Sequence, residues 1–279
     1  MKLKFTKMHG CGNNYLYFNC FEQPIDHPEE LSIALSDQHF GVGSDGIILI
    51  CPSDTADAKM RIFNADGSEG KMCGNGIRCV GKYLYDNGIA RKPEIKIDTL
   101  SGIKALQMEV VDGTAVGATV NMGKAILTPS EIPVRIDGER AVDVPIVVNG
   151  IQQRVTCVSM GNPHCIVFVD DVDSLDLSAI GPGFEHHELF PERINTEFIR
   201  VIDDHTLQMR VWERGSGETW ACGTGACASA VAAVLNGYCP MNEDITLHLR
   251  GGDLRIRYTE QAVYMTGPAT TVFEGSMDL

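Results

Sequence analysis

Two cysteines of this sequence, Cys73 and Cys222, lie in matching stretches that could carry chemistry. In each stretch a Gly/Ser turn and a glutamate precede Cys-Gly-x-Gly, which opens an apolar segment. A cysteine at the start of a helix lies at the positive end of the helix dipole, among backbone N–H groups that lack a partner within the helix. Such a position lowers the pKa of a thiol from about 8.5 towards neutrality. We therefore expect two reactive thiols.

The two cysteine segments belong to a longer repeat. The cysteines are 149 residues apart (222 minus 73), and the same spacing relates Gly12-Asn13 to Gly161-Asn162 and Asn87-Gly88 to Asn236-Gly237. Three separate features at one spacing indicate an internal duplication of a unit of about half the chain.

A duplicated thiol suits proton transfer at a carbon atom. The Gly-x-Gly after each cysteine lets a ligand approach the backbone, and a helix N-terminus binds carboxylates. If the two halves face each other, a small carboxylate would lie between two thiols. Inverting a carbon that carries hydrogen needs a base on one face and an acid on the other, which a thiolate and a thiol supply. The helix N-termini would stabilise the charge that develops, so no cofactor is required.

Other uses of the cysteines and glycines are less favoured. The sequence has no C-x-x-C pair, so no metal site is predicted. The glycine-rich loop 41–46 lacks the Gly-Lys-Ser/Thr of a phosphate-binding loop, and the absence of G-x-G-x-x-G between strand and helix argues against a nicotinamide cofactor. Eight cysteines are predicted to be small buried apolar residues: Cys11, Cys20, Cys51, Cys79, Cys157, Cys165, Cys227 and Cys239.

Composition sets the broad class of the protein. The 279 residues suffice for about two domains, and 44% hydrophobic and 22% charged residues are ordinary for a soluble globular protein. A formal net charge of −14 argues against a nucleic-acid binder, which needs a basic surface. The charged N-terminal segment resembles no signal peptide, and no apolar run approaches the roughly 18–20 residues of a membrane span. We expect a cytoplasmic protein with reduced cysteines and no membrane contact.

The predicted elements must bring the two thiols to helix N-termini. Helices are predicted over four segments: 28–37, 76–87, 173–180 and 226–235. The last of these is small and apolar on every side and should be buried. Two buried helices wrapped by mostly antiparallel strands predict an α+β fold of two pseudo-symmetric duplicated domains. The predicted domains are 1–118 and 119–266, with 267–279 packing back onto the first.

Seven segments of the sequence together resemble the diaminopimelate epimerase family, and the resemblance spans nearly the whole length. The segments are 7–13, 63–69, 72–79, 161–164, 190–195, 213–215 and 221–225. The resemblance implies a cofactor-independent enzyme of lysine and peptidoglycan biosynthesis that works without pyridoxal phosphate. It implies interconversion of LL- and meso-2,6-diaminopimelate, and it implies a homodimer.

The resemblance also implies a role for each matching residue. Cys73 and Cys222 would be the catalytic acid/bases, and His164 and Glu213 would tune their ionisation. The carboxylate at the reacting carbon would bind the backbone N–H groups of Gly74, Asn75, Gly223 and Thr224. The ammonium groups and the distal carboxylate would bind Asn13, Asn64, Asn162, Asn195, Glu213 and Arg214. An arginine fork suits a carboxylate, and side-chain acceptors suit ammonium groups.

The sequence departs from the family pattern at two positions. Asn14 stands where the first loop of the family has aspartate, which changes the charge of that loop. Gly46 stands where some members carry a glutamine that contacts substrate, so that contact is absent here. Neither position involves the two cysteines.

Three other functions remain open. Proline or hydroxyproline racemase-like enzymes share the paired cysteines, but they would not need Arg214 or Asn195 and resemble Met-Cys-Gly-His-Gly where this chain has Asn75. A thiol redox or peroxide-sensing protein would be indifferent to amino acids, whereas substrate should protect the cysteines of an epimerase from alkylation. A binding protein for diamino acids would bind them without exchanging the α-proton.

Overall fold

The structure, a computed structural model, describes residues 2–278. It divides into two compact units: the chain up to Asn121 together with the chain from Thr266, and Met122–Met265. The predicted domain boundaries of 1–118 and 119–266, and the packing of 267–279, stay predictions. Met1 and Leu279, at the ends of those predicted segments, lie outside the described residues.

The described chain contains four α-helices and eighteen strands. The helices are α1 (Pro28–Ser36), α2 (Gly74–Asp86), α3 (Leu177–Glu185) and α4 (Gly223–Leu235), with a single 3-10 turn at Pro129–Glu131. The strands up to Asn121 and across it are β1 (Lys2–Gly10), β2 (Asn13–Asn19), β3 (Gly46–Cys51), β4 (Ala58–Asn64), β5 (Glu69–Gly70), β6 (Glu94–Asp98), β7 (Lys104–Val111) and β8 (Thr114–Gly123). The later strands are β9 (Val144–Val148), β10 (Ile151–Ser159), β11 (Pro163–Phe168), β12 (Asn195–Asp203), β13 (Thr206–Glu213), β14 (Gly217–Thr219), β15 (Asp244–Leu249), β16 (Gly252–Tyr258), β17 (Val263–Pro268) and β18 (Thr270–Asp278).

The first unit is built on a mostly antiparallel sheet. Strand β1 pairs antiparallel with β2 and β18, and β3, β4 and β5 also pair antiparallel in sequence. The β2–β3 and β4–β6 pairs of this unit are parallel. Helix α1 follows β2, and α2 follows β5 and packs against β1, β2, β6 and β7. The helix with the first thiol is therefore surrounded by strands.

The second unit repeats the same order of pairings. Strands β10 to β14 pair as β1 to β5 do, with one parallel pair between the second and third members, β11 and β12. The parallel β13–β15 pair and the antiparallel β15–β16 pair match β4–β6 and β6–β7. Helix α4 packs against β10, β11, β12, β15 and β16. The predicted α+β fold with duplicated halves is confirmed.

Helices α2 and α4 begin and end in the same way. Each has its cysteine at the N-cap in an extended conformation, with φ of −130° at Cys73 and −117° at Cys222. Gly88 and Gly237 follow the C-caps with φ of +72° and +77°, a conformation that glycine adopts without steric cost. Both helices begin two or three residues earlier than predicted, because the cysteine itself serves as the cap.

Helix α3 begins and ends later than the helix predicted over 173–180. It begins at Leu177, because the Asp176 carboxylate accepts a hydrogen bond from the Ala179 N–H and caps the helix. It then continues through Pro182 to Glu185. Proline is normally read as the end of a helix, which is why the pattern placed the end too early. The prediction of α1 over 28–37 is confirmed. Among residues 2–278, no helix combines the length and apolar character that crossing a bilayer demands.

Burial of the Cys79 thiol in α2 predicts a loss of stability at alkaline pH. Desolvation raises the pKa of Cys79 from 9.0 to about 11, although Tyr17 donates a hydrogen bond that opposes the shift. Because the folded state holds this proton more tightly, the contribution is complete below pH 9 and is lost as the pH rises towards 11. We expect about 3 kcal/mol of unfolding free energy to disappear across that window. In urea titrations at a series of pH values, Cys79→Ala should reduce the decrease of the unfolding free energy between pH 9 and pH 11. An unchanged decrease in this variant would contradict the assignment.

Candidate active site

In the first unit, the Cys73 thiol is half-buried at the start of α2. Its Sγ accepts a hydrogen bond of 3.3 Å from the Gly76 N–H, as an N-cap side chain does. The thiol donates a hydrogen bond of 3.2 Å to the Asn13 Oδ1 atom. Two of the predicted site residues of this unit are therefore in direct contact.

The Asn13 loop is held by a residue that the sequence analysis missed. The Asp45 Oδ2 atom accepts hydrogen bonds from the Asn13 Nδ2 atom at 2.8 Å and from the Asn14 backbone N–H at 2.8 Å. The Asn14 side chain donates a third at 3.4 Å. An aspartate at position 14 would put a second negative charge against Asp45, so the asparagine suits this loop. The available signal was a carboxylate within the glycine-rich loop 41–46.

For the α-proton transfer expected from the sequence, we predict that Asp45→Ala lowers kcat/KM by about tenfold, because Asn13 loses the carboxylate that anchors it. Steady-state kinetics should show the loss, and the thermal midpoint should change little because the loop is exposed. Asp66→Ala is a suitable control, because Asp66 is an exposed carboxylate that bonds Ser68 within its own turn. Equal losses in the two variants would contradict the assignment.

Gly46 meets a packing requirement in this structure. A Cβ atom there would lie 2.1 Å from the Phe63 carbonyl oxygen, and φ is +151°. Any side chain would force the backbone of β3 away from β4. The departure from the family's glutamine therefore follows from the close approach of these two strands.

Two other predicted residues of this unit make contacts away from the thiol. The Asn64 Nδ2 atom donates to the Ser68 Oγ atom at 3.0 Å within an exposed turn. The Asn75 Oδ1 atom accepts from the Arg78 Nη2 atom at 3.0 Å, so this side chain faces inwards. Arg78 is fully buried and also donates to the Gly74 and Pro268 carbonyls. The predicted use of Asn75 through its backbone N–H is compatible with this arrangement.

In the second unit, the Cys222 thiol is more deeply buried, with 6% of its surface exposed. Its Sγ accepts from the Gly225 N–H at 3.3 Å, the counterpart of the Gly76 contact. The Thr224 hydroxyl lies 3.5 Å from the same sulfur and accepts a hydrogen bond of 3.3 Å from the Asn162 Nδ2 atom. Thiol, threonine and asparagine therefore form one connected group.

This group continues into a buried histidine–glutamate pair. The Asn162 Oδ1 atom lies 3.1 Å from the His164 Nε2 atom, and the His164 Nδ1 atom lies 2.8 Å from a Glu197 carboxylate oxygen. Because the Asn162 amide nitrogen donates to Thr224, its oxygen faces the histidine, and Nε2 must carry a proton. Neither His164 nor Glu197 has exposed surface.

Charge around Cys222 corrects the expectation that this thiol has a lowered pKa. Burial raises the pKa of Cys222 well above its ordinary value, and the Glu213 and Glu197 carboxylates raise it further. The Gly225 N–H opposes the shift, as predicted for a helix N-terminus, but it is outweighed. The pKa of Glu213 is also raised, first by burial and also by Glu197. Cys222 therefore holds its proton at neutral pH.

The remaining predicted residues meet at the turn after β13. Glu213 accepts a hydrogen bond from the Thr219 hydroxyl. The Asn195 Oδ1 atom accepts from the Arg214 N–H at 2.9 Å, and the Asn195 Nδ2 atom donates to the Pro163 carbonyl at 2.9 Å. The Arg214 guanidinium donates to the Glu192 carbonyl at 2.9 Å. Asn195 thus links the Arg214 turn to the strand that carries His164.

Glu197 is the main residue of this group that the sequence analysis missed. A Cβ atom on Gly225 would lie 2.3 Å from a Glu197 oxygen, and one on Gly76 would lie 2.6 Å from Ile48. Glu197 and Ile48 are 149 residues apart, so they occupy equivalent positions in the repeat. A comparison of the two copies position by position would have shown that the second copy has an acid where the first has isoleucine.

Three donor atoms of this group are close enough together to hold a metal ion. The atoms of His164, Glu197 and Cys222 lie within 4.8 Å of one another. Both ring nitrogens of His164 already contact protein oxygens, so an ion would have to displace one of these hydrogen bonds. The arrangement suits a hydrogen-bonded relay better than a metal centre.

Solved structures share this fold at low sequence identity. A hydroxyproline epimerase from Agrobacterium vitis superposes with a TM-score of 0.72 at 14% identity, over 99% of this chain and 92% of that chain. A phenazine biosynthesis protein of the PhzF family from Bacillus anthracis gives 0.69 at 16% identity, over all of both chains. The fold is therefore that of a class of proteins that includes epimerases.

Sequence comparison identifies the family. The model of the diaminopimelate epimerase family matches residues 5–128 and 156–272. A diaminopimelate epimerase from Acetivibrio thermocellus is 56% identical over 99% of both chains. One from Methanococcus maripaludis is 53% identical over 99% of this chain and all of that one. This chain belongs to the diaminopimelate epimerase family, and the resemblance inferred from its motifs is confirmed.

Proposed function

We propose that this protein interconverts LL- and meso-2,6-diaminopimelate by proton transfer between two thiols. The observation that carries the proposal is the duplicated cap, in which Cys73 and Cys222 each accept the N–H of the second glycine of Cys-Gly-x-Gly. It occurs in a chain that is 56% identical to a diaminopimelate epimerase. A pair of thiols in equivalent positions is what inversion of an α-carbon requires.

The Cys222 thiol rests in the protonated form, because burial and two carboxylates raise its pKa. We therefore assign Cys222 as the acid that gives a proton to the α-carbon, and Cys73, after its own proton has left, as the base that removes one. When the product leaves, the protonation states are exchanged, and the reverse reaction begins from the other isomer.

The substrate carboxylate at the reacting carbon is held by the helix N-termini. The first N–H groups of α2 and α4, from Gly74, Asn75, Gly223 and Thr224, have no partner within the helix. The positive ends of these helices stabilise the negative charge that develops as the α-proton leaves. This role of the backbone makes an electron-withdrawing cofactor, including pyridoxal phosphate, unnecessary.

Recognition of the distal amino-acid group falls mainly to the second unit. Arg214 offers a bidentate fork for the distal carboxylate, and the oxygens of Asn195 and Asn162 suit an ammonium group. Positions 64 and 65 of the first copy, which correspond to Glu213 and Arg214, carry Asn64 and an alanine. The charged side chains that would bind the distal amino-acid group of the substrate are thus in the second copy only.

The biological setting follows from the proposed reaction. Meso-diaminopimelate is required for lysine and peptidoglycan, so we place the enzyme in the cytoplasm, with no membrane or nucleic-acid partner. We also propose a homodimer and two separately folding domains, 1–118 with 267–279 and 119–266. Sedimentation equilibrium tests the first, and expression of 119–266 alone tests the second.

Proton exchange in D2O tests the proposed function directly. The freshly reduced protein is incubated with LL-diaminopimelate, meso-diaminopimelate, L-proline or trans-4-hydroxy-L-proline, and deuterium at the α-carbon is measured by NMR. Exchange with the two diaminopimelates alone supports the proposal. Exchange with the prolines instead would keep the two-thiol chemistry and overturn the substrate. No exchange at all would overturn both.

Replacing Arg214 by lysine should raise KM for diaminopimelate by about 10- to 100-fold, with a smaller change in kcat. A lysine ammonium is a point charge and cannot make the two parallel hydrogen bonds of a guanidinium. Arg200→Lys is the matched control, because Arg200 lies exposed on β12. A lower kcat at unchanged KM would show that Arg214 acts on the reacting carbon instead.

A further inference from the structure

A second pair of cysteines lies on neighbouring strands of the first unit. Strands β2 and β3 run parallel with Asn19 opposite Ile50, and the N–H of Cys20 donates to the Ile50 carbonyl at 2.9 Å. Cys20 is the residue directly after β2 and Cys51 is the last residue of β3, so this register places the two cysteines next to each other. Neighbouring strands are about 4.8 Å apart, and disulfides span Cα separations of about 4.4–6.8 Å.

Both thiols lie at the margin of a hydrophobic core and are partly exposed. They pack against the cluster that contains Leu16, Phe18 and Leu49, and each has intermediate solvent exposure. Reagents of the size of peroxide can therefore reach them without unfolding of the core. Both are free thiols.

Two cations lie on the strand next to Cys51. Lys59 is opposite Cys51 in the β3–β4 register, and Arg61 is two residues further on the same face. A hydrogen bond donated by Cys20 lowers the pKa of Cys51, and Arg61 and Lys59 lower it further. The same bond raises the pKa of Cys20. Cys51 is therefore the better nucleophile of the two, and Cys20 is the thiol that keeps its proton.

A buried pair in the second unit provides an internal comparison. Cys157 and Cys165 lie directly opposite each other in the β10–β11 register, but they are almost fully buried. Burial, followed by the contact with Cys157, raises the pKa of Cys165 well above its ordinary value. The two cysteines of this pair are as close as a disulfide requires, but reagents in solution cannot reach them.

We propose that Cys20 and Cys51 form a non-catalytic thiol site that hydrogen peroxide oxidises to a disulfide. The Cys51 thiolate attacks one peroxide oxygen, the O–O bond breaks, and hydroxide leaves as a sulfenic acid forms on Cys51. The Cys20 sulfur then attacks the Cys51 sulfur, the S–O bond breaks, and the Cys20 proton and the departing hydroxide form water. Two thiols and one peroxide thus give one disulfide and two waters.

The site is remote from the residues of the proposed active site in this unit. Asn13 and Gly46 begin β2 and β3, Cys20 directly follows β2, and Cys51 ends β3; strands rise about 3.3 Å per residue. The separation along β2 is therefore roughly 20 Å. Oxidation at this site is expected to join two strand ends without touching Cys73.

The test uses the full chain with Cys73→Ala and Cys222→Ala, so that the two thiols of the proposed active site do not compete. The reduced protein is treated with one equivalent of hydrogen peroxide, blocked with N-ethylmaleimide, digested and analysed by mass spectrometry. A peptide joining Cys20 to Cys51 should be the main oxidised product, while Cys157 and Cys165 carry the blocking group. Disulfide formation mainly between Cys157 and Cys165, or between other cysteines, would overturn the proposal.

Single substitutions test the order of the two steps. In Cys20→Ser, or Cys20→Ala if the serine variant does not fold, a sulfenic acid should accumulate on Cys51 and react with dimedone. In Cys51→Ser, dimedone labelling of Cys20 should be at least tenfold slower. Arg61→Gln should slow the formation of the disulfide. Equal labelling of the two cysteines, or an unchanged rate in Arg61→Gln, would overturn the assignment of Cys51 as the nucleophile.

Discussion

Replacing Cys222 by alanine is expected to lower kcat/KM for diaminopimelate epimerisation by about 10³-fold, and Cys73→Ala should have a similar effect. In the proposed reaction each variant lacks one of the two groups that exchange a proton with the α-carbon. The caps of α2 and α4 are weakened as well, because each thiol accepts an N–H. The loss should therefore be accompanied by destabilisation of about 1 kcal/mol.

The measurement must separate chemistry from stability. Cys222→Ser keeps a side chain that can accept the Gly225 N–H, so it should restore the cap without restoring a thiol acid. Cys227→Ala is the matched control, since Cys227 is a buried residue of the same helix. We expect control activity within about twofold of the unmodified enzyme. Retention of more than a tenth of the activity in Cys222→Ser would contradict a thiol acid at this position.

Local sequence signals predicted the parts of the site that are set by short-range structure. The helix caps at Cys73 and Cys222 depend on a few neighbouring residues, and glycines mark the ends of both helices. The repeat at a spacing of 149 residues predicted that the two halves share one arrangement, which the order of strand pairings confirms. The family was predictable because its motifs surround these same residues.

Contacts between distant segments could not be predicted in the same way. Asp45 anchors Asn13 from 32 residues away, and Glu197 reaches His164 from 33 residues away. Which acid enters which loop depends on strand register, and a one-residue shift of register moves a side chain to the other face. The prediction that the pKa of Cys222 is lowered was wrong for the same reason. The helix terminus was visible in the sequence, whereas burial and the neighbouring carboxylates were not.

The two copies of the repeat have diverged into different surroundings for the two thiols. Position 48 of the first copy is isoleucine where the second has Glu197, and position 15 is tyrosine where the second has His164. The second copy places Glu197 near Cys222, where burial and the Glu213 and Glu197 carboxylates raise the pKa of the thiol. A two-base reaction needs one protonated thiol, and these surroundings supply it.

Glu197 should act as a positioning residue for the second thiol, and Glu197→Gln tests this role. The substitution removes one of the carboxylates that raise the pKa of Cys222 and of Glu213. An acid must be protonated to act, so the rate falls as pH rises through its pKa. With that pKa lowered, the alkaline limb of the kcat/KM profile should move to lower pH. We expect kcat/KM at neutral pH to fall by about 10- to 100-fold as His164 loses its charged partner.

Two further variants distinguish an electrostatic role of Glu197 from simple packing. Glu197→Asp keeps the charge but shortens the reach to His164, so activity should fall while the alkaline limb stays nearly in place. Glu243→Gln, an exposed carboxylate that contacts His205, should change neither quantity. A purely structural Glu197 would lower activity in both Glu197 variants without moving the alkaline limb. One Glu197 oxygen is buried without a hydrogen-bond partner, so Glu197→Gln should cost little stability, and a loss of activity in this variant would then reflect the effect of Glu197 on Cys222.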